Sequence, residues 1–315
     1  MKTRILITGA FGQIGSELII ALQEKYGKDS IIAFDKKTNP EYEGTVVTGD
    51  ITDAELLHKI IKEYNVKTVY HLASLLSAVG ENNPELAWKV NMDGLRNVLE
   101  AAREFKLKVF WPSSIAAFGN TSPKNMTPQQ TVLEPNTMYG VTKVAGELLC
   151  QYYFTKFGVD VRSLRYPGII SWKTLPGGGT TDYAVEIFWK ALETGEYTCF
   201  LKKNTALPMM YIDDAIRATL EIMDADPKKI TIRTSYNLAA ISFTPQELAE
   251  AIRKAGVPLK IKYQPDFRQN IADSWPRTID DKQARKDWKW KHRYDLDREV
   301  KEMIRGVKEI QSAKQ

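Results

Sequence analysis

"RILITGAFGQIG", residues 4–15, decides the fold. A β-branched apolar run ends in three closely spaced glycines, Gly9, Gly12 and Gly15, and a helical pattern continues to about residue 26. A glycine-rich turn between a first strand and a first helix lets the backbone approach a pyrophosphate, while the helix N-terminus supplies amide donors and a positive dipole end. Such a pattern is informative only in context, and the context is present. Asp35 stands where the second strand is expected to end, about 20 residues past the last glycine. An acid there accepts hydrogen bonds from the adenosine ribose hydroxyls and repels a 2′-phosphate. The expected cofactor is therefore NAD rather than NADP, although Lys36 and Lys37 directly after the acid are cations that would suit a 2′-phosphate.

Outward from this turn, short apolar runs alternate with longer helical patterns. "SIIAF" (30–34), "TVVTG" (45–49), "KTVYHLA" (67–73), "KVFWPS" (108–113) and "DVRSLRY" (160–166) are expected strands, nearly continuous in apolar residues as strands covered on both faces should be. Helices are expected near 14–26, 53–64, 84–105 and 137–158. Ordered alternation of this kind implies right-handed βαβ units and an α/β fold with a doubly wound parallel sheet. After Tyr166 the rhythm loosens into the flexible "TLPGGGTT" (174–181), a helix near 182–194, a strand-like "SYNLAA" (235–240) and the helix "TPQELAEAIRKAG" (244–256). The expected organisation is a nucleotide-binding domain over 1–172, to which 208–242 returns, and a smaller, interleaved substrate-binding lid domain over 173–315.

Composition excludes several classes. The chain has 315 residues, 43% of them hydrophobic, enough for a sizeable core. No apolar run is long enough to span a bilayer, and the N-terminus lacks the basic and apolar regions of a secretory signal. Cys150 and Cys199 form neither a disulfide framework nor a metal-ligand spacing, so two reduced thiols in a cytoplasmic protein without a metal are expected. A net charge of +5, dispersed among acids, argues against nucleic acid as partner. The densest charged stretch, "DDKQARKDWKWKHRYDLDREVK" (280–301), is expected to be a solvated helix with its loop.

Two further stretches belong with the glycine turn. In "GDITD" (49–53) Asp50 is placed to meet the adenine amino group and Ile51 the adenine ring. "HLAS" (71–74) ends the fourth strand at the edge where doubly wound sheets bind ligands, and Leu72, Ala73 and Ser74 would let the nicotinamide ribose pass. His71 is expected to be a packed strand-end histidine.

"MYGVTK" (138–143) puts Tyr139 and Lys143 one helical turn apart, and the chain repeats that spacing at Tyr152 and Lys156. Both side chains ordinarily titrate about three units or more above neutrality, so spacing alone does not make a base. Ser114 directly follows the fifth strand and stands as far ahead of Tyr139 as Thr127 stands ahead of Tyr152, but Thr127 lies in a loop with no strand to aim it. Tyr139 falls in the first turn of its helix, where the dipole favours a phenolate. Tyr152 sits mid-helix among aromatics that suit a core or an interface. The pair at 139 and 143 is the chemical one.

Ser114, Tyr139 and Lys143 with this glycine turn resemble the short-chain dehydrogenase/reductase superfamily, in its extended, epimerase-like branch. The resemblance implies a Rossmann fold in which Lys143 bonds the nicotinamide ribose and lowers the tyrosine pKa, Tyr139 exchanges a proton with the substrate oxygen, and Ser114 holds that oxygen. It extends cofactor contact to Gln13, Ile14, Lys36, Asn91, Tyr166 and Ile169 and implies a homodimer paired through the helices near 84–105 and 137–158. Most of the branch acts on nucleotide sugars as 4-epimerases or dehydratases, typically with an asparagine in "LRYFN" and an arginine ahead of "F-I-x-V-D-D". Here "LRYPG" puts Gly168 at the first position and "LPMMYIDD" puts Leu207 at the second. A lost arginine removes the charge-assisted contacts that anchor a diphosphate.

"LLSAVGE" (75–81), "LRYPGIIS" (164–171), "PGGGTTDYA" (176–184), "LPMMYIDDA" (207–215), "SFTPQELA" (242–249) and "IADSWP" (271–276) together resemble the short-chain-type L-threonine 3-dehydrogenases within that branch. This implies oxidation of the L-threonine 3-hydroxyl by NAD⁺ to L-2-amino-3-oxobutanoate. Motif by motif, Ser77 should contact the amino acid's polar end, the Gly179 backbone with Thr180 and Thr181 should form a nest for its carboxylate, and Trp275 should close over it. Gly177, Gly178 and Gly179 would then hinge a lid. Simpler roles stand beside these: Thr180 or Thr181 as the N-cap of the following helix, Asp182 as its dipole partner, Trp275 as core, and Met209 with Met210 as core packing. The rival from another class, a dinucleotide-sensing protein without catalysis, is disfavoured by the retained Tyr–Lys pair.

Overall fold

The computed structural model describes residues 4–175 and 177–313, so Pro176 of the "PGGGTTDYA" segment lies outside the described residues. In chain order the elements begin β1 (Arg4–Thr8), α1 (Gln13–Tyr26), β2 (Ile31–Asp35), β3 (Thr45–Thr48), α2 (Ala54–Glu63), β4 (Val66–His71), α3 (Ser77–Asn82) and α4 (Pro84–Trp88). A π-helical turn (Lys89–Asp93) leads from α4 into α5 (Gly94–Phe105), followed by β5 (Lys108–Ser114), α6 (Met138–Phe157), β6 (Val161–Tyr166) and β7 (Gly168–Ile170). The remainder is α7 (Tyr183–Glu193), β8 (Glu196–Cys199), β9 (Leu207–Tyr211), α8 (Ile212–Asp224), β10 (Tyr236–Asn237), β11 (Ile241–Phe243), α9 (Pro245–Lys254), β12 (Lys260–Tyr263), α10 (Arg268–Ser274), α11 (Lys282–Trp288) and α12 (Leu296–Ala313).

Two compact units divide the chain. The first comprises Met1–Ser114, Met138–Arg165 and Ile216–Tyr236. It carries the seven-stranded sheet, in the order β10-β6-β5-β4-β1-β2-β3. β1 pairs in parallel with β2 and with β4, placing Thr8 beside both Phe34 and His71. The order reverses at β1, so the crevice outside the ends of β1 and β4 is the switch point where doubly wound sheets bind ligands. The central strands are largely apolar because helices cover both faces; Leu6, Ile32, Val69 and Val109 are fully buried. α2 starts where Asp53 accepts the Leu56 amide at 2.9 Å, and α5 stops at Lys106, whose φ of 54° is left-handed. The expected helix over 84–105 is thus present, interrupted by one wide turn.

The second unit comprises Ile115–Thr137, Tyr166–Ala215 and Asn237–Gln315. It contains a three-stranded sheet, β11-β9-β7, and a parallel pair, β12 with β8. α9 begins with a full capping box: the Glu247 amide donates to the Thr244 hydroxyl, and the Thr244 amide donates to the Glu247 carboxylate. Met209 and Met210 are fully buried, as core methionines. "SYNLAA" shrinks to a two-residue strand. The 280–301 stretch departs further from expectation. It forms α11 and the start of α12, and Trp290, Tyr294, Glu299 and Val300 are all buried, so the charges of this segment flank an apolar face that belongs to the core.

Candidate active site

β1 delivers the chain to Gly9, whose φ is +68° and where an added Cβ would stand 2.7 Å from the Ala73 amide nitrogen. At Gly15 a Cβ would stand 2.4 Å from the Gly9 carbonyl oxygen. These two positions admit only glycine, one for its backbone conformation and one for the closeness of the turn. Gly12 is the N-cap of α1 and offers no side chain to the first amides, and that first turn has no acid. Gln13 and Ile14 follow it as the first helical residues, and the amide-rich, positive end of a 14-residue helix is left for an anion.

Asp35 ends β2 and turns toward this loop. Its carboxylate accepts the amide of Phe11, inside the glycine turn, at 3.0 Å, and the amide of Lys37 at 3.1 Å. Lys36 is drawn away to Asp50, 2.8 Å between ammonium and carboxylate. Burial works against ionising Asp50, but Lys36 and the Thr52 amide outweigh it and hold the carboxyl below its ordinary range. Ile51, expected against an adenine ring, is packed in the core, and its carbonyl accepts the Asn97 amide at 3.1 Å. The residues present therefore fit a dinucleotide at the glycine loop and Asp35 end.

At the end of β4, Thr8 shares a 2.7 Å hydrogen bond with His71 Nδ1, while Nε2 is buried without a partner. Burial, and then the charge of Lys143, hold the imidazole down at about 3, so it is neutral at neutral pH. It is the packed histidine the sequence suggested. Leu72, Ala73 and Ser74 follow, half-buried. The π-turn between α4 and α5 points Asn91 at this exit. Its amide bonds the Leu75 amide at 2.8 Å, the Leu75 carbonyl at 3.1 Å, the Ser74 hydroxyl at 3.1 Å and Thr142 at 3.2 Å. Asn91 thereby braces the β4 exit against α6, next to Lys143. Ser77, the first residue of α3, is buried.

Ser114, Tyr139 and Lys143 come together where β5 meets the start of α6. Ser114 and Tyr139 are hydrogen-bonded through their side chains. Lys143 is 3% exposed, donates to the Pro112 carbonyl at 2.7 Å, and its ammonium lies 4.7 Å from the Trp111 ring centre and 5.2 Å from that of Tyr139. One expectation is corrected here. Burial pushes the Tyr139 phenol up to about 12, with the Ser114 bond pulling the other way, so position in the first helical turn does not by itself yield a phenolate. Burial likewise pulls Lys143 down to about 7. The second pair, by contrast, carries Tyr152 on an exposed face.

The remaining expected residues lie in the second unit. Tyr166 is buried, its hydroxyl 3.5 Å from the Ala215 carbonyl, and Ile169 is half-buried in β7. Neither Thr180 nor Thr181 caps α7; Asp182 holds that position. One Asp182 carboxylate oxygen accepts the amides of Gly178 and Gly179, both at 2.7 Å, so the Gly179 amide expected to meet a substrate carboxylate already has an internal one. The Thr180 hydroxyl is buried without a partner. Trp275 is buried as the C-cap of α10. Sequence reasoning passed over Pro112, Ser113, Glu147 and Arg165. Glu147 repeats the Tyr139–Lys143 spacing once more along α6, and that third step was the available signal.

Comparison with known proteins agrees with this geometry. The sequence model of the NAD dependent epimerase/dehydratase family matches residues 5–239. An uncharacterized epimerase/dehydratase of Staphylococcus haemolyticus is 49% identical over 317 residues, covering 99% of each chain. A GalE-like L-threonine dehydrogenase from Cupriavidus necator, in its holo form, superposes with a TM-score of 0.95 at 53% identity, covering 96% of this chain and 99% of the other. A monomeric L-threonine 3-dehydrogenase from a metagenome gives a TM-score of 0.95 at 52% identity, covering 97% and 99%. Among the described residues no helix is long and apolar enough to cross a membrane, and no cluster of His, Cys, Asp and Glu is placed to hold a metal ion.

Proposed function

Because the chain belongs to the NAD-dependent epimerase/dehydratase family, we propose that within it this protein is an L-threonine 3-dehydrogenase, oxidising the 3-hydroxyl to give L-2-amino-3-oxobutanoate. One observation carries the choice of substrate. At Gly168, the position where the sugar-active branch typically has its asparagine, an added Cβ would stand 2.4 Å from the Met209 sulfur and 2.7 Å from Thr181 Cγ2. No side chain fits there to hold a sugar diphosphate. Leu207, in place of the arginine, is fully buried in β9. Similar solved structures that bear the name of threonine dehydrogenase support the same reading.

Gly9, Gly12 and Gly15 would carry the pyrophosphate and Asp35 the adenosine ribose. NAD⁺, when bound, supplies the acceptor for the hydride leaving C3. The chain's own groups handle the proton. Ser114 holds the substrate hydroxyl, Tyr139 takes its proton at the phenolic oxygen, and the Lys143 ammonium favours the phenolate by its charge, offsetting the burial that otherwise keeps the phenol protonated. Ser77, with Gly179, Thr180, Thr181 and Trp275, is assigned to the polar and methyl parts of the amino acid. Closure of the Gly177–Gly179 segment about the second unit is part of this reading, as is a reducing, cytoplasmic setting for the buried free thiols Cys150 and Cys199.

A homodimer completes it. Val141, Leu148 and Tyr152 on α6, and Leu86 and Trp88 on α4, are large apolar residues at 39–60% exposure. A second copy of the chain would bury exposed apolar side chains such as these. A monomer by sedimentation across the micromolar range would remove the dimer and leave the activity standing. The activity is tested by NADH absorbance with NAD⁺ and L-threonine, with L-serine, D-threonine, UDP-glucose and NADP⁺ in parallel. A rise with L-threonine and NAD⁺ supports the assignment; a flat trace there with turnover of UDP-glucose replaces it by a sugar epimerase.

A further inference from the structure

Lys143 and Glu147 stand one turn apart on the same side of α6, and both are buried, at 3% and 1% exposure. Glu147 has no part in the proton transfer described above, yet it is tightly held. Its Oε1 accepts the Ser113 hydroxyl at 2.6 Å and Arg165 Nε at 2.8 Å, and its Oε2 accepts the second Arg165 nitrogen at 2.6 Å. Three successive residues closing β5 therefore grip three residues of α6: Pro112 the ammonium of Lys143, Ser113 the carboxylate of Glu147, Ser114 the phenol of Tyr139.

We propose that Glu147, clamped by Arg165 and Ser113, is a positioning residue: the buried counter-ion that keeps the ammonium of Lys143 charged and directed toward Tyr139. The proposal rests on the assignment of Tyr139 and Lys143 as the working pair.

An ammonium removed from water sheds its proton unless an anion is near. Burial is what pulls Lys143 down to about 7, while Cys150 and Glu147 pull it back up. The Cys150 thiol is itself pushed far up by burial and is uncharged at neutral pH. Among the described residues the ammonium also faces Tyr139 on α6, whose phenol burial pushes up to about 12 in the free protein, and His71 at the end of β4, which is neutral. The Trp111 ring contributes only its π face. Glu147 is left as the anion. Arg165, reaching in from β6, takes both of its oxygens, so Lys143 feels the carboxylate without being drawn into an ion pair with it and keeps its bond to Pro112. The clamp separates the two functions of a counter-ion, supplying charge while leaving the lysine where it is.

The test needs neither substrate nor cofactor. Protein carrying ¹³C at the lysine ε-carbons is titrated by NMR, and the Lys143 resonance is identified by its loss in Lys143→Gln. In Glu147→Gln the Lys143 midpoint should fall by about 1–3 pH units. Since that variant leaves a buried arginine unpaired, Glu147→Gln/Arg165→Met, which removes both charges, is titrated beside it and should show a smaller fall in the same direction. Glu147→Asp should recover part of the wild-type midpoint. A variant that folds, by circular dichroism, with the Lys143 midpoint unmoved overturns the proposal and leaves Glu147 a structural residue. A lowered midpoint in a chain that does not oxidise L-threonine strikes the functional assignment and spares the counter-ion.

Discussion

The carboxylate of Asp35 accepts the amide of Phe11 at 3.0 Å, so the acid that closes the second strand is bonded into the loop that follows the first. Its carboxylate is thus held in place before any ligand arrives. Replacing Asp35 by Asn removes the charge while keeping a hydrogen-bonding oxygen. Charged hydrogen bonds are worth about 1.5–3 kcal/mol, so the KM for NAD⁺ should rise about 10- to 100-fold and the preference over NADP⁺ should narrow by a similar factor. Steady-state kinetics with both cofactors measure this.

Tyr139→Phe keeps the ring and its neighbours but removes the oxygen proposed to take the proton. Turnover should fall by about 10²–10⁴-fold, the usual contribution of a positioned acid–base group. NAD⁺ affinity, read by calorimetry, should stay within about twofold. Ser114→Ala should cost less, and the loss should appear in kcat as well as in KM, because the serine bonds the phenol itself.

Glu299 is fully buried, both of its carboxylate oxygens lack partners, and burial followed by repulsion from Asp214 raises its carboxyl from 4.5 to about 8. A carboxyl raised in the folded state holds its proton where the unfolded chain has lost it. Its contribution to stability is whole below about pH 4.5 and drains away as pH rises toward 8, at about 1.4 kcal/mol per unit at most. Glu299→Gln should therefore raise the melting temperature at pH 8, leave it nearly unchanged at pH 4.5, and flatten the slope between them in calorimetric scans.

Asp182 anchors the Gly178 and Gly179 amides with one oxygen. Cutting it to Ala frees both donors and unpins the segment. The KM for L-threonine should rise about tenfold, with NAD⁺ affinity unaltered. A lower KM would mean instead that Asp182 competes with the substrate for the same two amides.

The alternation of apolar runs and helical patterns carried the doubly wound sheet, because strands covered on both faces must be apolar and short. Gly9, Gly15 and Asp35 were legible for a similar reason: each sits at a backbone position with few chemical solutions. What the sequence hid lies where one pattern serves two purposes. The charges of 280–301 masked Trp290 and Val300, since a helix with one buried face shows mostly its polar residues in print. The Thr180–Thr181 pair looked like a cap because a hydroxyl ahead of a helix is the common solution; Asp182 took the place by bonding backward to glycine amides. Pro112 could not be read at all, because its contribution is a carbonyl that every residue possesses.

The π-helical turn at Lys89–Asp93 also has a meaning for length. A wide turn is one residue inserted into an α-helix. Deleting a single residue there would restore regular winding at little local cost, but everything before it would swing by about 100° about the helix axis. Leu86 and Trp88 would be turned from the directions in which they now meet solvent, and Asn91 would turn away from Leu75 and Thr142. One extra residue thus sets the phase of α4 against the inward amide of Asn91, and the chain cannot lose it without turning one relative to the other.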